Sequence, residues 1–364
     1  MPVGLHYSWF IIAWLITLSL TSRFAAMNPA WSAGMVWTLG VTTALLFFVG
    51  IVLHELAHAT VARLGGVPVR GITLFALGGI AQIEKDAATP AKEFWMAIAG
   101  PIASVAIGLA CWALATAAGP PDAPDAAGAF SAVFGWLAFI NVALALFNLV
   151  PGFPLDGGRV LRAIVWAVTR DARRATRVAA NVGQFVAYGL IVFGLLQLVV
   201  RNDFGGLWIA FIGWFLVQGA QAQYLQSEMS AALRGVRVGD VMARDCAEVD
   251  GVQSIRRFVD DHLLRMPGRC FAVTRERQVV GIVTPEDVKR VDRDRWDRTS
   301  VLEAMRPLDT VHAVDPDASA DLALELMGRN NVNQLPVMSN GHLEGVVTRS
   351  YLVHQWQVRR ELAA

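Results

Sequence analysis

The sequence predicts a polytopic α-helical membrane domain of about six spans, carrying a short β or re-entrant hairpin, followed by a soluble α+β domain. Three observations carry that expectation. The 364 residues are 55% hydrophobic and only 17% charged, but the average hides two halves. Up to about Tyr224 the chain is a series of apolar runs; after Leu233 charges recur every few residues, as in a soluble protein. Within the apolar half, His54, Glu55 and His58 stand together inside one membrane-grade run, and ionisable groups in such a place are functional by default. In the polar half, an internal repeat is visible. The expected domains are therefore residues 1–226 and 236–357.

A hydrocarbon core needs about twenty apolar helical residues. Six stretches qualify as candidates: 8–22, 34–64, 94–118, 128–150, 178–200 and 205–224. The first lacks a preceding basic segment and a clear cleavage site, so it reads as a retained span rather than a leader. The third is rich in Ala, Gly and Ser, which lets helices pack closely. Arg63, Arg70, Lys85 and Lys92 lie between spans two and three; Arg159, Arg162, Arg170, Arg173, Arg174 and Arg177 lie between spans four and five. The loop between spans three and four has only Asp122 and Asp125. By the positive-inside rule both basic loops are cytoplasmic, and six spans then put both termini and the soluble domain on the same side. The expected location is the plasma membrane, multi-pass. A net charge of +1 suggests no nucleic-acid partner. Cys111, Cys246 and Cys270 show no CxxC spacing and no disulfide framework, which fits a reducing compartment.

His54 and His58 are four residues apart, so on a helix they lie one turn apart on one face and can share a metal ion. With Glu55 beside them they form the HExxH pattern of zinc peptidases. The alternative is a pair of satisfied core histidines. A catalytic zinc takes three protein ligands and keeps one position open. Asp156, in the stretch NLVPGFPLDGGR at the end of span four, is the natural third ligand. Spans two and four both run inward, which puts Asp156 at the depth of HELAH. Its plainer role would be to cap a helix before Gly157 and Gly158, glycines that permit unusual backbone angles. Residues 68–85, PVRGITLFALGGIAQIEK, are too short and too Gly-rich for a span. They read as a hairpin or re-entrant loop over the metal site, or else as an ordinary cytosolic loop.

HELAH together with NLVPGFPLDGGR resembles the site-2 protease family of intramembrane zinc metalloproteases. The resemblance covers the whole membrane half. It implies one Zn2+ held by His54, His58 and Asp156, with Glu55 as catalytic acid/base and Asn148 near the scissile bond, acting on the oxyanion. It also implies that substrates are single-pass membrane proteins trimmed beforehand on the outer side, such as membrane-anchored regulators, cut within the lipid bilayer in regulated intramembrane proteolysis. An edge strand in 68–85 could hold the unwound substrate by strand addition. AGPIAS, residues 99–104, is similar to the family's GPxxN turn, but Ser104 stands where Asn is usual.

In the soluble half, VGDVMAR at 238–244 matches VLEAMRP at 301–307, and 271–288 matches 335–352. Each repeat reads as strand, helix, strand, strand, helix. The pattern resembles a pair of cystathionine-β-synthase-type (CBS) motifs, which implies a stacked module that often binds adenine nucleotides and can join copies into a homo-oligomer. Thr284 and Asp287 are the candidate nucleotide contacts, through a phosphate at a helix start and ribose hydroxyls. The second repeat keeps Thr348 but has Tyr351 in place of Asp, so at most one nucleotide per chain is expected. Thr284 and Asp287 would equally serve as an ordinary helix cap. The rival readings of the whole chain are a membrane transporter or channel gated by the CBS pair, and a metal-binding pseudoprotease.

Overall fold

The computed structural model describes residues 2–75, 78–83, 87–233, 235–244, 246–265, 271–276, 278–308, 310–330, 332–339 and 342–362. The chain divides into two compact units, Met1–Gln226 and Ser227–Ala364.

The first unit runs β1 (Val3–Leu5), α1 (Ser8–Met27), α2 (Ala33–Leu64), β2 (Val69–Phe75), β3 (Gly78–Ile83), α3 (Pro90–Ala118), α4 (Ala126–Asn148), α5 (Asp156–Thr169) and α6 (Ala172–Arg201). Helix α7 (Gly205–Leu233) continues into the second unit. The helix starts are written in short polar residues whose side chains accept a free backbone N–H. Ser32 accepts from Met35 ahead of α2, Thr89 from Lys92 ahead of α3, Asp125 from Gly128 ahead of α4, and Asp171 from Arg173 and Arg174 ahead of α6. Arg170 and Asn202, both left-handed, end α5 and α6.

Helices α1, α2, α3, α4 and α6 are long and apolar enough to cross a membrane. Leu20, Phe24, Val36, Ala44, Cys111 and Leu137 close one core among the first four. Facing outward are Phe10, Trp14, Leu109, Trp112, Phe139, Phe185 and Val199, all exposed. So much exposed apolar surface suits hydrocarbon, not water. The sixth expected span forms a helix but is not among the five. Its apolar part ends near Val217, and Gln218, Gln221, Gln223 and Gln226 follow.

The stretch 68–85 forms the β2–β3 hairpin; its turn and Lys85 lie outside the described residues. Strand β1, which has no pattern visible in sequence, pairs parallel to β2 and completes a sheet of order β1-β2-β3. Strand β3 is thus an edge. Arg162 is not a solvated loop charge: its Nη1 lies 2.6 Å from Oε1 of Glu93, which is fully buried.

The second unit contains α8 (Val238–Val241), β4 (Ala247–Asp250), α9 (Ile255–Phe258), β5 (Phe271–Arg275), β6 (Gln278–Val283), α10 (Pro285–Lys289), α11 (Val301–Ala304), β7 (Arg306–Pro307), α12 (Ala320–Arg329), β8 (Gln334–Ser339), β9 (His342–Thr348) and α13 (Arg349–Leu362). The two repeats exchange their leading segments. Ala243, after α8, bridges Val346 of β9, while β7, after α11, pairs with β6. Each repeat therefore completes the other's sheet, as a CBS pair requires. Two cores result, one around Phe258, Phe271 and Val283, the other around Met327, Leu335 and Leu352. Cys246 is disulfide-bonded, although the sequence shows no disulfide framework. Cys111 is free, and Cys270 lies outside the described residues.

Candidate metal centre

Helix α2 brings His54 and His58 inward, one turn apart, with both side chains buried. Their Nε2 atoms are 3.2 Å apart. Oδ2 of Asp156 lies 3.1 Å from the first and 3.2 Å from the second. The structure thus brings together the three residues that the sequence singled out as ligands. Zinc bonds of ~2.0–2.1 Å in tetrahedral array would set their donor atoms about 3.3–3.4 Å apart. The observed triangle is close to one face of that tetrahedron, and its donor set, two imidazoles and a carboxylate, suits zinc.

The imidazoles are aimed from behind. Nδ1 of His58 donates to the backbone carbonyl of Met96 at 2.6 Å. A carbonyl only accepts, so the proton sits on Nδ1 and Nε2 presents its lone pair to the cluster. Nδ1 of His54 is 2.9 Å from Oγ of the fully buried Ser104. At this position, where Asn is usual in the GPxxN turn, a hydroxyl makes the polar contact. Both supports come from α3, as does Gly100. A Cβ at Gly100 would stand 2.2 Å from His58 Nε2 and 2.6 Å from His54 Nε2. The glycine leaves the hollow into which both ligands point.

Asp156 occupies the first turn of α5, after the cis Phe153–Pro154 peptide. Gly157 and Gly158 have no unusual backbone angles. Their role is close approach: a Cβ would fall 2.4 Å from the Leu149 carbonyl oxygen at one, and 2.3 Å from the Gly152 carbonyl carbon at the other. The tight fold of this loop turns the chain from α4 into α5.

Glu55 is half-buried beside the triangle, on the neighbouring position of α2. Strand β3 covers it so closely that a Cβ at Gly79 would be 2.6 Å from Glu55 Cγ and 3.2 Å from its Oε1. Asn148 is the last residue of α4 and half-buried; among the described residues no hydrogen bond joins its side chain to the triangle.

Thr284 and Asp287 are in the second unit and form a capping box at the start of α10. Oδ2 of Asp287 accepts from the Thr284 hydroxyl at 2.6 Å and its backbone N–H at 3.1 Å, while Oδ1 accepts from Arg306 Nε at 2.7 Å. The motif glycines Gly281 and Gly345 have matching jobs. A Cβ there would strike the carbonyl oxygens of Arg306 and Ala243, at 2.6 and 2.4 Å, where the exchanged segments cross.

Sequence reasoning missed Ser104 as a support for His54, and also Met96, Gly100 and Gly79. The GPxxN-like stretch was the one available signal for two of them.

The sequence model of Peptidase family M50 matches residues 42–121 and 116–191, and that of the CBS domain matches 301–356. A Synechocystis sp. protein named as a zinc metalloprotease is 33% identical over 356 residues, covering 97% of this chain and 92% of that protein. Rip3 of Mycobacterium tuberculosis, also named as a zinc metalloprotease, is 34% identical over 350 residues, covering 96% and 88%. Among solved structures, a site-2 protease from Methanocaldococcus jannaschii is 28% identical, with a TM-score of 0.41, covering 61% of this chain and 90% of that one.

Proposed function

The chain belongs to peptidase family M50 and is a zinc metallopeptidase, and from that premise we propose that it cuts peptide bonds within or near the transmembrane segments of single-pass membrane proteins. The triangle of His54, His58 and Asp156, set in an apolar helical unit beneath an edge strand, is the observation that carries this reading. These three residues would hold the metal. Bound there, zinc supplies a Lewis acid that polarises the scissile carbonyl and makes water nucleophilic near neutral pH.

Glu55 takes the proton of the attacking water and returns it to the leaving amine, so its carboxylate ends the cycle as it began it. The Asn148 amide donates to the developing oxyanion. A helical substrate hides its carbonyls in its own hydrogen bonds, so the cut segment must unwind. Extended, it pairs with β3 as an added strand, and Gly79 keeps that edge against Glu55. Residues 1–226 form the protease domain and 236–357 the regulatory CBS pair. The basic residues of the α2–α3 and α4–α6 connections set those connections and the CBS pair on the cytoplasmic side, with α7 as the sixth span returning the chain. Adenine nucleotide at the CBS pair would act by binding its arrangements unequally. The filled hydrogen bonding of Asp287 favours a structural role for that motif instead.

The test is proteolysis of a single-pass substrate by the purified protein in detergent. The parent cleaves it, and Glu55→Gln does not while keeping its zinc. Comparable cleavage by the variant would sink the mechanism.

A further inference from the structure

The supports of the two histidines sit on one stripe of α3. Glu93, Met96, Gly100 and Ser104 recur at helical spacing and are all buried. Met96 and Ser104 aim the imidazoles, and Gly100 makes room for them. The third ligand comes from a different element, α5. Something must fix α5 against α3, because a shift of that helix moves Asp156 away from the histidines.

The Glu93–Arg162 pair is placed to do this. Arg162 lies six residues beyond Asp156, about 9 Å along α5, and Glu93 lies seven residues before Gly100, about 10 Å along α3. Its Nη1 donates to Glu93 Oε1 at 2.6 Å, its Nε donates to Thr176 Oγ1 on α6 at 2.9 Å, and its guanidinium lies over the Trp166 ring. One planar, always-charged side chain thus ties three helices with two fixed donors. Two carboxylate-bearing rungs then hold α5 at separate heights, one to α2 through Asp156 and the two histidines, the other to α3 through Arg162 and Glu93.

We propose that Glu93 and Arg162, with Thr176, are positioning residues for the metal centre: they set where α5 presents Asp156 to His54 and His58. This rests on the assignment of those three as ligands. The pair supplies none of the three ligand atoms and acts through the placement of α5. A buried ion pair contributes little net stability over an apolar pair of similar volume, but it fixes geometry that an apolar pair leaves free.

The experiment uses the full-length protein in detergent and compares the parent with the Glu93→Leu/Arg162→Met double variant and with a His54→Ala/His58→Ala control. Zinc affinity is read by competition with a chromophoric chelator, the site by the visible absorption of its cobalt derivative, and the fold by melting temperature. The Glu93→Leu/Arg162→Met protein should melt within a few degrees of the parent, yet lose zinc affinity by roughly 10–100-fold, as removal of outer-shell supports does, with an altered cobalt spectrum. Parental affinity and an unchanged spectrum would overturn the proposal and leave the pair as packing alone. Should that variant fail to fold, Arg162→Lys decides. It keeps the charge but cannot span Glu93 and Thr176 with two planar donors, so a several-fold loss of affinity supports the proposal and parental affinity overturns it. Zinc retained by the His54→Ala/His58→Ala control would overturn the ligand assignment, and this proposal with it; that outcome is separate from the first.

Discussion

Replacing Gly100 with Ala adds one methyl group at the most sensitive point of the molecule. The new Cβ would lie 2.2 Å from His58 Nε2 and 2.6 Å from His54 Nε2, against 3.4 Å or more for an ordinary contact. To make room the imidazoles must retreat by about 1 Å, whereas metal–ligand distances tolerate only about 0.2 Å. The substitution should therefore weaken zinc binding on the order of 100-fold, comparable to the larger outer-shell effects. Its effect on the helix runs the other way, since Ala is favoured over Gly in a helix interior by ~1 kcal/mol. A loss of metal would thus not reflect a weaker α3. Zinc content and melting temperature, measured together on purified protein, separate the two effects. Gly100→Ala with one zinc per chain and parental proteolysis would refute the reasoning.

Glu55→Gln should lower the cleavage rate by at least ~100-fold while zinc stays bound, since general acid/base groups contribute about 10²–10⁴; a variant that loses its zinc would show Glu55 to be structural. Ser104→Ala should keep the fold but lower zinc affinity roughly tenfold by freeing the His54 ring, measured by chelator competition. Single cysteines at Arg70 and Arg173 should resist an impermeant thiol reagent on intact cells while one at Asp122 reacts; the reverse pattern would invert the topology. Asp287→Ala should destabilise the second unit by about 2–3 kcal/mol, because Arg306 loses its charged partner and α10 its capping box, whereas Tyr351→Ala on an exposed position should change its melting little. Equal melting of the two variants would count against the internal use of Asp287.

The cluster of His54, His58 and Asp156 was legible because its signals are local or topological. His54 and His58 need only the rise of one helix. Asp156 needed only the inward direction of two spans. The supports were not legible, because Met96, Gly100 and Ser104 matter through the way α3 crosses α2, some 40 to 50 residues along the chain. The same holds for Arg162, which read as a topological charge until α3 supplied a buried carboxylate. The three residues of β1 carry no periodicity of their own and become a strand only because β2 offers an open edge. Thr284 and Asp287 fit either a cap or a ligand site by spacing, and the partner that Asp287 takes, Arg306, sits in the other repeat.

Metal analysis of the purified protein and its His54→Ala/His58→Ala variant tests the central claim most directly. One zinc per chain in the parent and none in the variant is the expected result. Stoichiometric zinc persisting unchanged in the variant would contradict the account.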